Sequence, residues 1–149
     1  MPYWKIYSPE GTYTKEDKQA MSTAITDIYV EFAELPRFYV VVLFEDRPAD
    51  TIWVGGEPAN HFVRIVVDHI ARQVDTPELR LMTMEAVEAA IEPFVKDRGL
   101  DWEVHIDETP FDLWRTQGMT PPPPESEAER LWAAENRAVP WEHPERPSA

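Results

Sequence analysis

Pro2, directly behind the initiator Met1, is the residue around which this sequence can do chemistry unaided. A bulky methionine before a small residue is what methionine aminopeptidase removes, and its loss leaves a proline with a free secondary amine. An ordinary α-amino group titrates at about 7.7–8.0, and apolar surroundings lower that value because they disfavour the ammonium form. Tyr3, Trp4, Ile6 and Tyr7 can supply such surroundings. A partly neutral amine on a rigid ring is then a general base near neutral pH. The plain alternative is a proline that merely follows the initiator.

Other chemistries find little support. The chain has no cysteine, which removes disulfides, thiolate catalysis and cysteine metal sites together. His61, His69, His105 and His143 show no spacing typical of a zinc helix or loop, so no metal is expected. Gly55-Gly56 lacks the rest of either nucleotide-binding motif, and no cofactor is expected. The formal charge of −14, from 14 basic and 28 acidic residues, argues against a nucleic-acid partner. A small anionic substrate stays compatible with it, because one arginine can reverse the local sign inside a pocket. Lys5, Glu10 and Lys15 interrupt any signal peptide, and no stretch is apolar for long enough to cross a membrane. The sequence thus predicts a soluble, cytoplasmic protein.

The elements that must position Pro2 come in two similar sets. Pro2–Tyr7 reads as a short strand, broken by Ser8-Pro9-Glu10-Gly11. Thr14 followed by Asp17 reads as a helix N-cap. Met21, Ala24, Ile25, Ile28 and Phe32 recur at helical spacing up to about Leu35, before Pro36. Phe38–Phe44 reads as a strand buried on both faces. Phe62–Val67 opens the second set, followed by a helix capped by Thr76, begun by Pro77 and continued to about Arg98, with Gly99 as its C-terminal cap. Trp102–Ile106 is the last long strand. Thr76 minus Thr14 is 62, and that offset also pairs Ile25 with Val87, Phe32 with Phe94, Pro48 with Pro110 and Gly56 with Gly118.

The expected fold is therefore α+β: two tandem β-α-β units, about 2–57 and 64–118, give a four-stranded sheet with two helices on one face. The second sheet face is left bare, and strands as apolar as Phe38–Phe44 and Phe62–Val67 imply that copies associate through it. Residues 1–122 form this duplicated domain, and 123–149 a proline-rich tail with a short helix over Glu125–Arg137. Leu131, Trp132 and Trp141 are the residues through which part of the tail would dock on its own or a neighbouring subunit, and Pro140–Ala149 reads as loose.

An amino-terminal proline opening a strand, followed by two β-α-β units, resembles the tautomerase superfamily. The likeness is greatest to the fused-chain group of cis-3-chloroacrylic acid dehalogenase. Pro2, Ala24-Ile25-Thr26-Asp27, Val54-Gly55-Gly56 and Glu108-Thr109-Pro110 with Gly118 carry it, over residues 2 to about 122. The resemblance implies a homotrimer with the proline at the floor of a small pocket. It makes Pro2 the general base and Arg72 the group that binds a substrate carboxylate. It places Tyr29 where the dehalogenases have a histidine, His105 where they have a tyrosine, and Thr116 where they have a water-activating glutamate. Their second arginine falls on Asp75 and is missing. His69, three residues before Arg72, is a further pocket candidate. The implied activity is cofactor-independent tautomerisation of a small enol or 2-keto carboxylic acid. The alternatives are dehalogenation or hydration of a short unsaturated acid, and a trimeric binding or scaffold protein that has lost the chemistry.

Overall fold

The computed structural model describes residues 1–143. The loose ending expected over 140–149 lies mostly outside them, in 144–149. Strand β1 (Tyr3–Pro9) leads through helix α1 (Lys15–Ala33) to strand β2 (Val41–Arg47). A two-stranded ribbon follows, β3 (Trp53–Val54) with β4 (Glu57–Pro58), antiparallel. The second unit runs from β5 (Phe62–His69) through α2 (Pro77–Ile91) to β6 (Asp101–Glu108). A last helix, α3 (Glu127–Glu135), closes the described chain.

The main sheet has the order β2-β1-β5-β6. Within each unit the strands are parallel, and the units meet through the antiparallel pair β1–β5. The strand carrying the amino terminus is thus central. Its alternate residues Trp4 and Ile6, with Val63, Ile65 and Val67 of β5, are fully buried beneath Met21 and Ile25 of α1 and Val87 and Ile91 of α2. Period-two alternation along the strands meets period-3.6 stripes on the helices, and together they make one core.

The caps form as read. The Thr14 hydroxyl accepts from the Asp17 amide while the Asp17 carboxylate accepts from the Thr14 amide, a reciprocal capping box. Thr76 accepts from the Leu79 amide with Pro77 at the first helical position. The two helices begin 62 residues apart, Lys15 against Pro77.

Three local readings need correction. The second helix ends at Ile91, not Arg98, and continues as the 3-10 turns Glu92–Phe94 and Lys96–Arg98 up to the left-handed Gly99. Pro93 is the cause, since it lacks the N–H that would have bonded the carbonyl one turn back. In the run Phe38–Phe44, Phe38 and Tyr39 lie in a 3-10 turn after Pro36 and the strand starts at Val41. As an edge strand it exposes Val41 and Leu43 instead of burying both faces. Phe32, placed by spacing on the core face of α1, is 73% exposed.

The open sheet face is mixed in character. Tyr3, Phe62 and Val66 share it with Lys5 and Asp68, an ion pair at 3.5 Å, and with Arg64 and His105. All of these are half-buried in the single chain. The tail docks on its own chain: Trp132 is fully buried against Phe38 and Tyr39, and the Trp141 indole donates to the Thr120 carbonyl, whereas Leu131 stays exposed.

Candidate active site

A cavity of ≈ 920 Å³ opens between the C-terminal turns of α1, the end of β5 with the following loop, and the first turns of α2. Pro2, Tyr29, His69 and Arg72 all line it. The antiparallel register that pairs Tyr3 with Asp68 brings Pro2 level with His69, and the Pro2 carbonyl accepts from the Val41 amide. Pro2 is thereby fixed in the wall of the cavity. Burial, and secondarily the positive charge of Arg72, lower the terminal amine of Met1 to about 4. The Met1 amine is therefore neutral at neutral pH.

Beside it stands a relay of three rings. The Trp4 indole donates to the Tyr29 hydroxyl at 3.0 Å, and that hydroxyl lies 2.5 Å from His69 Nε2. Tyr29 meets both rings edge-on. Indole can only donate, so Tyr29 oxygen accepts from Trp4 and keeps its own hydrogen for His69 or a ligand. Burial raises the Tyr29 pKa, which makes it a hydrogen-bond donor and not a base. Burial, the largest cause, also lowers His69 to about 4, against the opposing pull of Glu108. His69 is therefore a neutral acceptor.

That depression has a consequence for stability. Between about 6.5 and 4 the unfolded chain carries a proton on His69 that the folded chain refuses, so stability is whole above pH 6.5 and is lost as pH falls. The full effect is on the order of 3 kcal/mol. Urea midpoints at pH 7 and pH 4.5 should differ more for the wild type than for His69→Gln, which has nothing to titrate. Equal differences would contradict a buried neutral histidine.

Arg72 is engaged already. Its Nη2 reaches Glu129 Oε1 at 2.6 Å and its Nη1 reaches Oε2 at 3.0 Å, a two-pronged pair with α3. The same two nitrogens also donate to the carbonyls of Ala71 and Ala33. Glu129 is 3% exposed and additionally accepts from the Glu125 amide. A planar fork matched to a carboxylate is the strongest pairing an arginine makes. Here the partner belongs to the chain itself.

The remaining candidates lie elsewhere. His105 sits on the open sheet face, its Nδ1 2.5 Å from Arg64 Nη2 and its Nε2 3.2 Å from Asp107. Thr116 bridges Met119 in a tight reverse turn around Gln117 and Gly118, both at positive φ. Neither lines the cavity. Two neighbours of these side chains went unread: Trp4, whose indole donates to Tyr29, and Glu129, which holds Arg72. A signal existed for Glu129, since Ser126-x-x-Glu129 has the spacing of a capping box and Ser126 does cap α3. Among the described residues no three His, Cys, Asp or Glu side chains gather as a metal-binding group, and no helix is long and apolar enough to cross a membrane.

Comparison with known proteins adds three findings. A family model described as "putative oxalocrotonate tautomerase enzyme" matches residues 1–137. Native RhCC from Rhodococcus jostii RHA1 is similar at 59% identity, covering 93% of this chain and 99% of that one, with a TM-score of 0.92. At the level of the fold alone, two more structures match. One is a member of the cis-3-chloroacrylic acid dehalogenase family (21% identity, 90% and 97% covered, TM-score 0.72). The other is a wild-type fused 4-OT solved as a symmetric trimer (23%, 79% and 94%, 0.65). No curated protein matches.

Proposed function

The chain belongs to the oxalocrotonate tautomerase family that matches residues 1–137, and on that premise we propose that it interconverts an enol and its keto form without a cofactor. The observation that carries the reading is Pro2 lining a cavity with Tyr29 and His69, directly behind a Met1 amine that burial strips of its proton. After Met1 is removed, the Pro2 nitrogen takes the proton of the enol hydroxyl as the C=O bond forms, then delivers a proton to the neighbouring carbon. In the reverse direction it takes that carbon's proton. Tyr29, kept protonated by burial, turns its one hydroxyl hydrogen from His69 to the developing oxyanion, the electrostatic contribution that usually lowers the barrier most. The substrate expected from the sequence, a small enol or 2-keto carboxylic acid, fits this scheme through its enol–carbonyl unit. Its carboxylate meets an Arg72 that Glu129 already spans.

Water addition to a halogenated acid is the weaker reading. It needs a group to activate water, and Thr116, at the position of the dehalogenases' glutamate, stands outside the cavity. Self-association belongs to the favoured reading: the half-buried open face, with Tyr3, Phe62 and Val66 on it, supports a trimer like that of the fused 4-OT structure. One preparation tests both points. Enol–keto conversion of a phenylpyruvate-type probe should be measurable, chloride release from cis-3-chloroacrylate should be absent, and light scattering should give three times 17.3 kDa. Efficient chloride release would reverse the order of the two readings, and a monomer would remove the assembly.

A further inference from the structure

We propose that the cavity selects an uncharged, apolar enol or ketone, and that Glu129 is the residue that sets this preference by occupying Arg72. The inference rests on the tautomerase reading for its chemistry and goes beyond it in naming the substrate class.

Four terminal N–H bonds of Arg72 have four acceptors: two oxygens of Glu129 and the carbonyls of Ala71 and Ala33. No pair of parallel donors is left for a second carboxylate. To bind there, a substrate carboxylate must displace Glu129, which would strand a 3% exposed charge without its cation. Nor does the rest of the wall replace the lost attraction. Besides Arg72 the one basic side chain among the described residues lining the cavity is His69, which burial keeps neutral, while the carboxyl side chains Glu31, Glu34, Glu85 and Glu125 also line it. Among the described residues, a substrate anion would meet carboxylates and no arginine or lysine without a partner carboxylate. The apolar side chains explain what the cavity accepts instead. Phe32, Leu79 and Met82 line it and are 73%, 43% and 60% exposed, with Ile28, Ile70 and Val74 beside them. Large apolar side chains facing a cavity of ≈ 920 Å³ give a hydrocarbon body the surface it needs to leave water.

A matched pair of probes tests this, phenylpyruvate and its methyl ester, which differ in charge and share the enol. The wild type should convert the ester with a kcat/KM at least about tenfold above the acid. Glu129→Gln keeps the shape of the partner but leaves the charge of Arg72 uncompensated, and should move the ratio at least about tenfold toward the acid. A wild type that prefers the acid, and loses that preference in Arg72→Ala, overturns the proposal. Binding of the unreactive pair 3-phenylpropanoate and its methyl ester to the wild type, read by calorimetry, decides the matter independently of turnover and of how well the variants fold. Tighter binding of the ester upholds the proposal, and equal or tighter binding of the acid overturns it. Absence of turnover with both reactive probes would refute the tautomerase reading, while the binding ratio would still decide the substrate class.

Discussion

Pro2→Ala is expected to lower enol–keto conversion by about 10²–10⁴-fold, the usual contribution of a positioned general base. Alanine leaves a primary amine on an unrestrained residue, so the nitrogen loses both the fixed ring and its orientation toward the cavity. Pro2 is buried, but its bond to the neighbouring strand is made by its backbone carbonyl, which alanine retains, and β1 pairs with its neighbours from Tyr3 onward. The variant should therefore keep its far-ultraviolet circular dichroism and its urea midpoint. Mass spectrometry of the amino terminus belongs to the same experiment, because a retained Met1 removes the secondary amine just as the substitution does. Near-normal turnover in a variant shown to lack the proline amine would take Pro2 out of the mechanism.

The second large effect concerns stability. Arg72→Leu should cost about 3–5 kcal/mol of unfolding free energy, because it leaves the buried Glu129 carboxylate without its cation. The double variant Arg72→Leu/Glu129→Leu should recover most of that loss, since two apolar side chains can replace a buried ion pair at little net cost. Urea unfolding of the single and double variants makes the comparison. A double variant less stable than Arg72→Leu alone would show that the two side chains are not energetically coupled as their geometry demands.

What could be read beforehand follows from the range over which a sequence signal acts. Helix caps are local, and Thr14 with Asp17 and Thr76 with Pro77 are where spacing put them. The duplication repeats one local pattern, so the parallel pair within each unit followed from it, whereas the antiparallel junction of β1 with β5 did not. Boundary errors arose where one residue overrides periodicity, as Pro93 does in the second helix. Periodicity also cannot tell a core face from a cavity wall, and Phe32 satisfies the helical spacing while standing at a cavity. For the site, Pro2, Tyr29, His69 and Arg72 converge because β1 begins, and α1 and β5 end, at the same edge of the fold. His105 was legible as a strand residue, but the parity of its strand turns it to the opposite face, where it pairs with Arg64. The contact of Arg72 with Glu129 spans 57 positions and two elements with no repeat between them. No local rule reaches that far.

The central place of β1 also bears on the order of events during synthesis. The strand emerges first, yet its antiparallel partner β5 is made only after β2 and the ribbon, and α3 later still. In the finished fold Met1 packs against the core and its amine is desolvated. An aminopeptidase needs that end of the chain extended and wet. On the proposed reading, trimming of Met1 then falls to the nascent chain, before β5 pairs with β1.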